Sequence, residues 1–353
     1  MFNRIRKLAL VSMLSVAALP ALAQEVTWQV PTSVPEGSPF YVNFLERFAE
    51  NVDVLTNGRV LIEPFGAGVL VPALQVYDGV RDGIVQAGHS TPSYLVNQDP
   101  TNAIFAGFPG GMGPEAYITW IYEKSGKEKL AELRAKDGFK NLIVGIGSSE
   151  VMAHSNVPIT KAEDLKGMKY RTSGPWAKVM EEYFGAVPTV VPPGEIYTLL
   201  QRKGVDLIEW GPPSANMPEG FHEAAKYIIV PGVHQPTFLW EVVLKQETWD
   251  ALPDDLKPLL EKAAELTTMQ ALINFYGGDV EAMDTYRKGK NEVITLSPEF
   301  IKELSDAGVD WISKTAEAQK AEGKAEMSDI LADYMAFKSL WSAESSYLVR
   351  NQD

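Results

Sequence analysis

Residues 159–213 read ITKAEDLKGMKYRTSGPWAKVMEEYFGAVPTVVPPGEIYTLLQRKGVDLIEWGPP. Three short apolar runs alternate here with two helical patterns. GMKYRT (167–172) is strand-like. Ser173 and Gly174 can cap a helix opening with Pro175, a residue favoured at the first helical position, and Gly185 ends it. PTVV (188–191) is the next strand, Pro192-Pro193-Gly194 a turn, EIYTLLQRK (195–203) a short amphipathic helix stopped by Gly204, and VDLIEW (205–210) the third strand. The order β-α-β-α-β predicts a parallel sheet with right-handed crossovers. Ligands of such sheets sit outside the carboxyl ends of the strands. Arg171 stands near one such end, Glu209 and Trp210 at another, so a fixed cation, a carboxylate and an aromatic are expected in one crevice.

Working outward, the preceding half repeats the pattern. VTWQVPTS (26–33) is a strand, 40–56 a helix stopped by Asn57-Gly58, RVLIEPF (59–65) a strand, 73–83 a helix and IVQAGHS (84–90) a strand. Two similar α/β units predict two lobes with a ligand cleft between them. KNLIVGIGSSEVMAHS (140–155) is a strand and crossover into the second unit. AKYIIVPGVHQPTFLWEVVLKQ (225–246) holds two strands split at Pro231-Gly232. Residues 252–289 read as one long helix, capped around Pro253-Asp254 and loosened at Gly277-Gly278; 293–318 add a strand and a helix. The tail 325–348 is helical, with an aromatic face of Tyr334, Phe337 and Trp341 read as core packing; a homodimer contact through this C-terminal helix is the alternative. The expected division is 24–150 and 151–234 for the two lobes, then 235–353 for returning strands, the long helix and the C-terminal helices.

The first 23 residues have the form of a secretory signal: Arg4, Arg6 and Lys7, an apolar run over 8–19 too short to span a bilayer, then Ala21-Leu22-Ala23. Cleavage near Ala23 takes the net charge from −14 to −17 by removing those three cations. The expected location is therefore the periplasm. The acidic balance argues against nucleic acid, which needs clustered Lys and Arg. The chain has no cysteine, which excludes thiol catalysis, Cys-based zinc sites and a lipid anchor on an N-terminal cysteine. A chain of 353 residues can build a sufficient core without disulfides.

Nothing in the motifs assembles a catalyst. His89, His154, His222 and His234 show no metal-ligand spacing, and H-E-x-x-H, G-x-S-x-G and the P-loop are absent. In GIGSSE (145–150), Glu150 replaces the third glycine of a dinucleotide fingerprint, and its charge would repel a pyrophosphate. Arg171 on an otherwise buried strand requires a partner: an internal salt bridge, or a ligand carboxylate received by its planar fork. Glu209 is a strand-end carboxylate facing water, a hard oxygen ligand for Na⁺ or Ca²⁺, or an acceptor for a ligand hydroxyl or amine. Glu241, after Trp240, is a second such candidate. Trp28, Tyr94, Trp176, Trp210 and Trp240 are candidate pocket walls, although each taken alone is better explained as packing.

DLKGMKYRTSG (164–174), PPGEIYTLLQRKGVDLIEW (192–210) and KYIIVPGVHQ (226–235) together resemble the substrate-binding subunits of tripartite ATP-independent periplasmic (TRAP) transporters of the DctP type. The match is nearest to the branch that binds 2-oxo acids, lactate and related monocarboxylates. The resemblance implies two α/β lobes of the periplasmic-binding-protein kind, a long helix crossing both, no catalysis, and closure on a small organic acid passed to membrane subunits. It implies an arginine on the substrate carboxylate, at Arg171. It further implies a cation, Na⁺ or Ca²⁺, bridging the ligand and held by Glu209, the Trp210 carbonyl and the neighbourhood of Glu241. Tyr94 and Trp176 complete the expected substrate contacts. That branch commonly has an amide near SSEVM (148–152), where this chain offers Glu150; either Glu150 substitutes or the metal is absent. The alternatives of another class are a secreted metal-dependent hydrolase using Glu209, Glu241 and a histidine, and an orphan or chemoreceptor-linked binding protein of the same fold.

Overall fold

The computed structural model describes residues 24–348; the signal segment and its Ala23 cleavage site lie outside them. The strands are β1 (Val26–Pro31), β2 (Val60–Phe65), β3 (Ala87–Ser90), β4 (Phe139–Gly147), β5 (Ala153–Ser155), β6 (Lys169–Arg171), β7 (Val187–Thr189), β8 (Leu207–Ile208), β9 (Tyr227–Val230), β10 (Phe238–Lys245) and β11 (Glu292–Thr295). The pattern read over 159–213 is realised. β6 pairs in parallel with β7 on one side and with β8 on the other. In the first half β1 pairs in parallel with β2, and a parallel bridge from Thr32 to His89 brings β3 to its other side. The two α/β units therefore share one topology, with orders β2-β1-β3 and β7-β6-β8.

Each unit is completed by an antiparallel strand. β10 pairs with β3, then with β4; β5 pairs with β8, then with β9. The full orders are β2-β1-β3-β10-β4 and β11-β9-β5-β8-β6-β7. The chain thus crosses between β4 and β5, returns between β9 and β10, and crosses again through the long segment between β10 and β11. The first two run as short connections. These two crossings flank the cleft.

Local signals explain the boundaries. Ser173 is extended (φ −143°), Pro175 lies in the first turn, and Gly185 closes helix Gly174–Phe184 with φ 64°, a left-handed conformation cheap for glycine. Asn57 (φ 54°) ends helix Arg47–Thr56, which continues a π turn over Tyr41–Glu46. The third strand is shorter than VDLIEW suggests. After Ile208 the Glu209 carbonyl accepts from the Arg171 guanidinium at 2.7 Å, so the segment leaves the ladder there.

The long helix runs Lys257–Lys288, 32 residues and about 48 Å. The loosening expected at Gly277-Gly278 does not occur. Gly278 serves close packing instead: a Cβ there would lie 2.9 Å from that of Ser214. The helix touches both units. Thr268 donates to the Ile143 carbonyl of β4 at 3.1 Å, and Tyr286 donates to the Pro213 carbonyl at 3.2 Å. Beside Gly278, Asp279 accepts from Ser148 Oγ at 2.5 Å and from the Ser214 backbone N–H at 2.9 Å. One carboxylate thereby ties both segments at the foot of the cleft to the helix. Tyr334 of helix Glu326–Glu344 is buried against Trp120, as the core reading of that face expects. Leu340, further along, is 57% exposed. No helix among the described residues is long and apolar enough to cross a membrane.

Candidate functional site

Between the units lies a cavity of about 30 Å³ lined by residues from both. Thr91, Ser93 and Tyr94 follow β3; Arg171 ends β6 and Ser173 follows it; Glu209 and Trp210 follow β8. Glu150 comes from the outgoing crossing, Gln235 and Phe238 from the returning one, and Phe40 and Trp240 complete an apolar wall. Polar groups thus gather at the carboxyl ends of parallel strands, where the sheet leaves backbone groups and loops free to meet a ligand.

Arg171 is 1% exposed. Nη1 donates to the Glu209 carbonyl at 2.7 Å and faces Glu209 Oε1 at 3.4 Å; Nη2 donates to the Val191 carbonyl at 3.3 Å. Its Nε has no partner, nor does the indole N–H of Trp210, whose ring lies 5.7 Å below the guanidinium. Two buried donors without acceptors are costly, and an anion in the cavity would relieve them. Of the two partners considered for Arg171, the internal one is present: it pairs with Glu209, which also accepts from the Ser173 N–H at 3.1 Å.

The second charged group was only partly legible. Glu150 Oε2 lies 3.1 Å from His234 Nε2, both buried. Gly232 makes the meeting feasible, since a Cβ there would stand 1.9 Å from the Glu150 carbonyl oxygen. Among the described residues, Glu150, Glu209 and His234 form a group whose ligand atoms all lie within 4.8 Å of one another. Burial, then the facing Glu209, raises the Glu150 pKa well above the usual carboxylate range. Burial also raises Glu209, against the pull of Arg171. His234 is held neutral, its pKa lowered to about 3 by burial. Its Nδ1 has no partner, so the proton belongs on Nε2, which donates to Glu150 and orients it. Tyr94 is pushed up to about 12, chiefly by burial, and stays a neutral phenol.

Two expected site residues lie elsewhere. Glu241 is turned to the opposite side of β10 from the cavity wall. It accepts from Tyr77 Oη at 2.8 Å, Arg134 Nε at 2.7 Å and Asn141 Nδ2 at 3.0 Å, and forms an ion pair with the Arg134 guanidinium, Nη2 standing 2.6 Å from Oε1. Both its oxygens are thus committed to a buried network, and it does not join Glu209. Strand alternation along β10 separates it from Trp240. Trp176 is 2% exposed and does not line the cavity. It donates to Tyr170 Oη at 3.1 Å and its ring stands 5.6 Å from that of His234, so it packs behind the site. Trp28 is also core. Sequence reasoning missed Phe40, Thr91, Ser93, Ser173, Gln235, Phe238 and the His234 contact. The signal available for several of them was position: each directly follows a strand or crossing already recognised.

Ionised together, the two carboxylates would carry more charge than one guanidinium offsets, and burial raises both, Glu150 further through the facing Glu209. The donor set, two hard oxygens with an imidazole behind one of them, fits a cation such as Na⁺ or Ca²⁺.

The profile of the DctP family, bacterial extracellular solute-binding protein family 7, matches residues 31–319. A monocarboxylate 2-oxoacid-binding periplasmic protein of Nostoc sp. is 28% identical over 296 residues, 84% of this chain and 81% of its own. A TRAP periplasmic solute-binding protein from Pseudoalteromonas atlantica, with bound sodium and pyruvate, superposes with a TM-score of 0.85 at 24% identity, over 92% of this chain and 97% of its own. An apo open structure of such a protein from Rhodobacter sphaeroides gives a TM-score of 0.64 at 26% identity, over 90% and 98%.

Proposed function

The chain belongs to the DctP family of bacterial extracellular solute-binding proteins, the TRAP type, and from that premise we propose that its cleft captures a small monocarboxylate, a 2-oxo acid or a lactate-like acid. The protein then delivers the acid to membrane subunits of a transporter and performs no chemistry. Export to the periplasm, after cleavage near Ala23, fits this role and the family.

One observation carries the reading: a buried arginine with a free Nε–H shares one cavity between the units with two carboxylates. Arg171 and the Trp210 indole supply donors to one oxygen of a ligand carboxylate. Tyr94 and Ser93 approach from the first unit, so binding draws the units together. Phe40, Phe238 and Trp240 meet the apolar remainder of a small acid. Glu150 and Glu209 repel an anion unless their charge is offset. A bound Na⁺ or Ca²⁺ supplies that offset, and Glu150, Glu209 and the Trp210 carbonyl are the groups proposed to hold it. His234 keeps Glu150 turned inward. The hydrolase reading is disfavoured, since it requires Glu241 beside Glu209.

A thermal-shift screen tests this. The protein is freed of cations with a chelator, then offered pyruvate, longer 2-oxo acids, lactate and four-carbon dicarboxylates, each with Na⁺, with Ca²⁺ and with neither. A ligand that binds only the native state raises the melting temperature. We expect monocarboxylates to raise it and a cation to enlarge the effect. A response to dicarboxylates alone, or none to any acid, would overturn the assignment.

A further inference from the structure

The cavity is rich in acceptors. Glu209 spends Oε1 on the Ser173 N–H and on Arg171, and Glu150 spends Oε2 on His234, so each carboxylate has its other oxygen for a ligand. Gln235 lines the same cavity and adds a third acceptor. Its Nε2 donates to the Ala106 carbonyl at 2.8 Å, and a carbonyl can only accept, so the amide is fixed with Oε1 as its remaining group. Gly107 permits that contact. Its φ is 87°, and a Cβ there would stand 2.0 Å from the Thr237 carbonyl oxygen.

The donors are the Arg171 Nε–H and the Trp210 indole N–H, both buried and without partners. A ligand carboxylate satisfies them and leaves the acceptors unmet. A 2-oxo oxygen is itself an acceptor and cannot meet them. A 2-hydroxyl brings one donor; an α-ammonium brings three, together with a positive charge. The spacing suits a nitrogen. Carboxylate oxygens of Glu150 and Glu209 lie within 4.8 Å of each other. Two acceptors each about 2.8 Å from a tetrahedral nitrogen stand roughly 4.6 Å apart. An ammonium also carries the same single charge as Na⁺, and brings it on the ligand.

We propose that the cleft also takes a small α-amino acid as its zwitterion, Arg171 holding the carboxylate and Glu150, Glu209 and Gln235 the α-ammonium. This rests on the placement of Arg171 in the monocarboxylate reading and widens the ligand class. An amine without a carboxylate is excluded, since it would meet Arg171 as a like charge. A cavity of about 30 Å³ walled by Phe40, Phe238 and Trp240 confines the side chain to one as short as that of alanine. Amino acid and metal cation are then rivals for the same oxygens, whereas a 2-oxo acid and a metal cation assist each other.

Isothermal titration of the chelator-treated mature chain tests the proposal, with L-alanine and pyruvate, which share a three-carbon skeleton, each with and without Ca²⁺. Alanine is expected to bind with no cation added, and Ca²⁺ to weaken it by about tenfold or more while strengthening pyruvate. In Gln235→Leu, alanine should bind about tenfold more weakly, a larger loss than that of pyruvate with Ca²⁺; the melting temperature of the variant, read alongside, reports that it is folded. Pyruvate binding with Ca²⁺ but no alanine binding overturns this inference and leaves the monocarboxylate reading standing. Failure of both ligands defeats the placement of Arg171 and hence both readings. Alanine affinity that rises with Ca²⁺ or ignores it, or that is undiminished in Gln235→Leu, also overturns the inference, because its ammonium would then lie away from these oxygens.

Discussion

Glu150 and His234 stand 84 residues apart in sequence and 3.1 Å apart in the fold, carboxylate oxygen to imidazole nitrogen. They belong to the outgoing and returning crossings between the two sheets. Their contact joins the crossings at the wall of the cavity and aims one carboxylate at another, Glu209. The charge of the site follows from this arrangement.

Arg171→Ala should reduce affinity for the captured acid by about 30-fold or more, since truncating one partner of a buried charge pair costs roughly 2–5 kcal/mol. Arg171→Lys should also bind poorly, because an ammonium keeps the charge but loses the planar fork. Isothermal titration reads both. Wild-type affinity in Arg171→Ala would defeat the assignment.

Glu209→Gln and Glu150→Gln separate charge from shape. If the carboxylates hold a cation, each variant should lose affinity for Ca²⁺ and depend less on it for binding the acid, a neutral amide being a weaker ligand for a hard cation. Titration with and without Ca²⁺ measures this. Undiminished cation dependence in both variants would remove these residues from the cation site.

Glu241→Gln should behave differently. It breaks a buried ion pair, 2.6 Å long, between β10 and Arg134 of helix Gly126–Lys136. Loss of such a pair costs roughly 3–5 kcal/mol of stability. Urea unfolding should show that loss, while cation dependence of the folded fraction stays as in wild type. A variant of normal stability that no longer responds to cation would restore Glu241 to the site.

Acid should weaken the fold through its buried histidines. His89 and His154 have pKa values lowered to about 3 by burial, like His234. Above pH 6.5 both folded and unfolded imidazoles are neutral and contribute nothing to the pH dependence. Below it the unfolded chain takes up protons that the folded chain refuses, so stability falls by up to about 1.4 kcal/mol per pH unit per histidine until the folded groups titrate. The raised carboxyls of Glu150 and Glu209 push the other way. Comparing wild type with His154→Phe isolates one imidazole: the slope of stability between pH 6 and 4 should be shallower in the variant, by urea unfolding. An unchanged slope would contradict a neutral His154.

Closure should pass through Asp279. Its carboxylate holds Ser148 of the outgoing crossing and Ser214 of the segment after β8. With ligand and cation, small-angle scattering should show a smaller radius of gyration than without. In Asp279→Ala the closed form loses a support, so the contraction should need more ligand, by about tenfold if roughly 1.4 kcal/mol is lost. No contraction of the wild type at saturating ligand would count against closure in solution.

Much of this protein is written locally. Apolar runs of strand length, Ser-Gly-Pro and Asn-Gly at helix ends and a helix pattern of more than 30 residues depend on near neighbours in the chain, and each emerged within the stretch the sequence indicated, several strands shorter than their apolar runs. The parallel order of β6, β7 and β8 followed from alternation alone, and it carried Arg171 and Glu209 to one crevice. What the sequence could not decide was pairing across long separations. Trp240 and Glu241 are adjacent, yet strand alternation sends one to the cavity and the other to Arg134. Glu150 and His234 carry no mutual signal; the backbone approach permitted at Gly232 brings them together. Gly277 and Gly278 look alike in sequence, and only packing tells them apart, one against Ser214 and one facing open space. Local conformation is set by the nearest few residues. A buried site is set by which distant segments the two sheets bring within van der Waals reach.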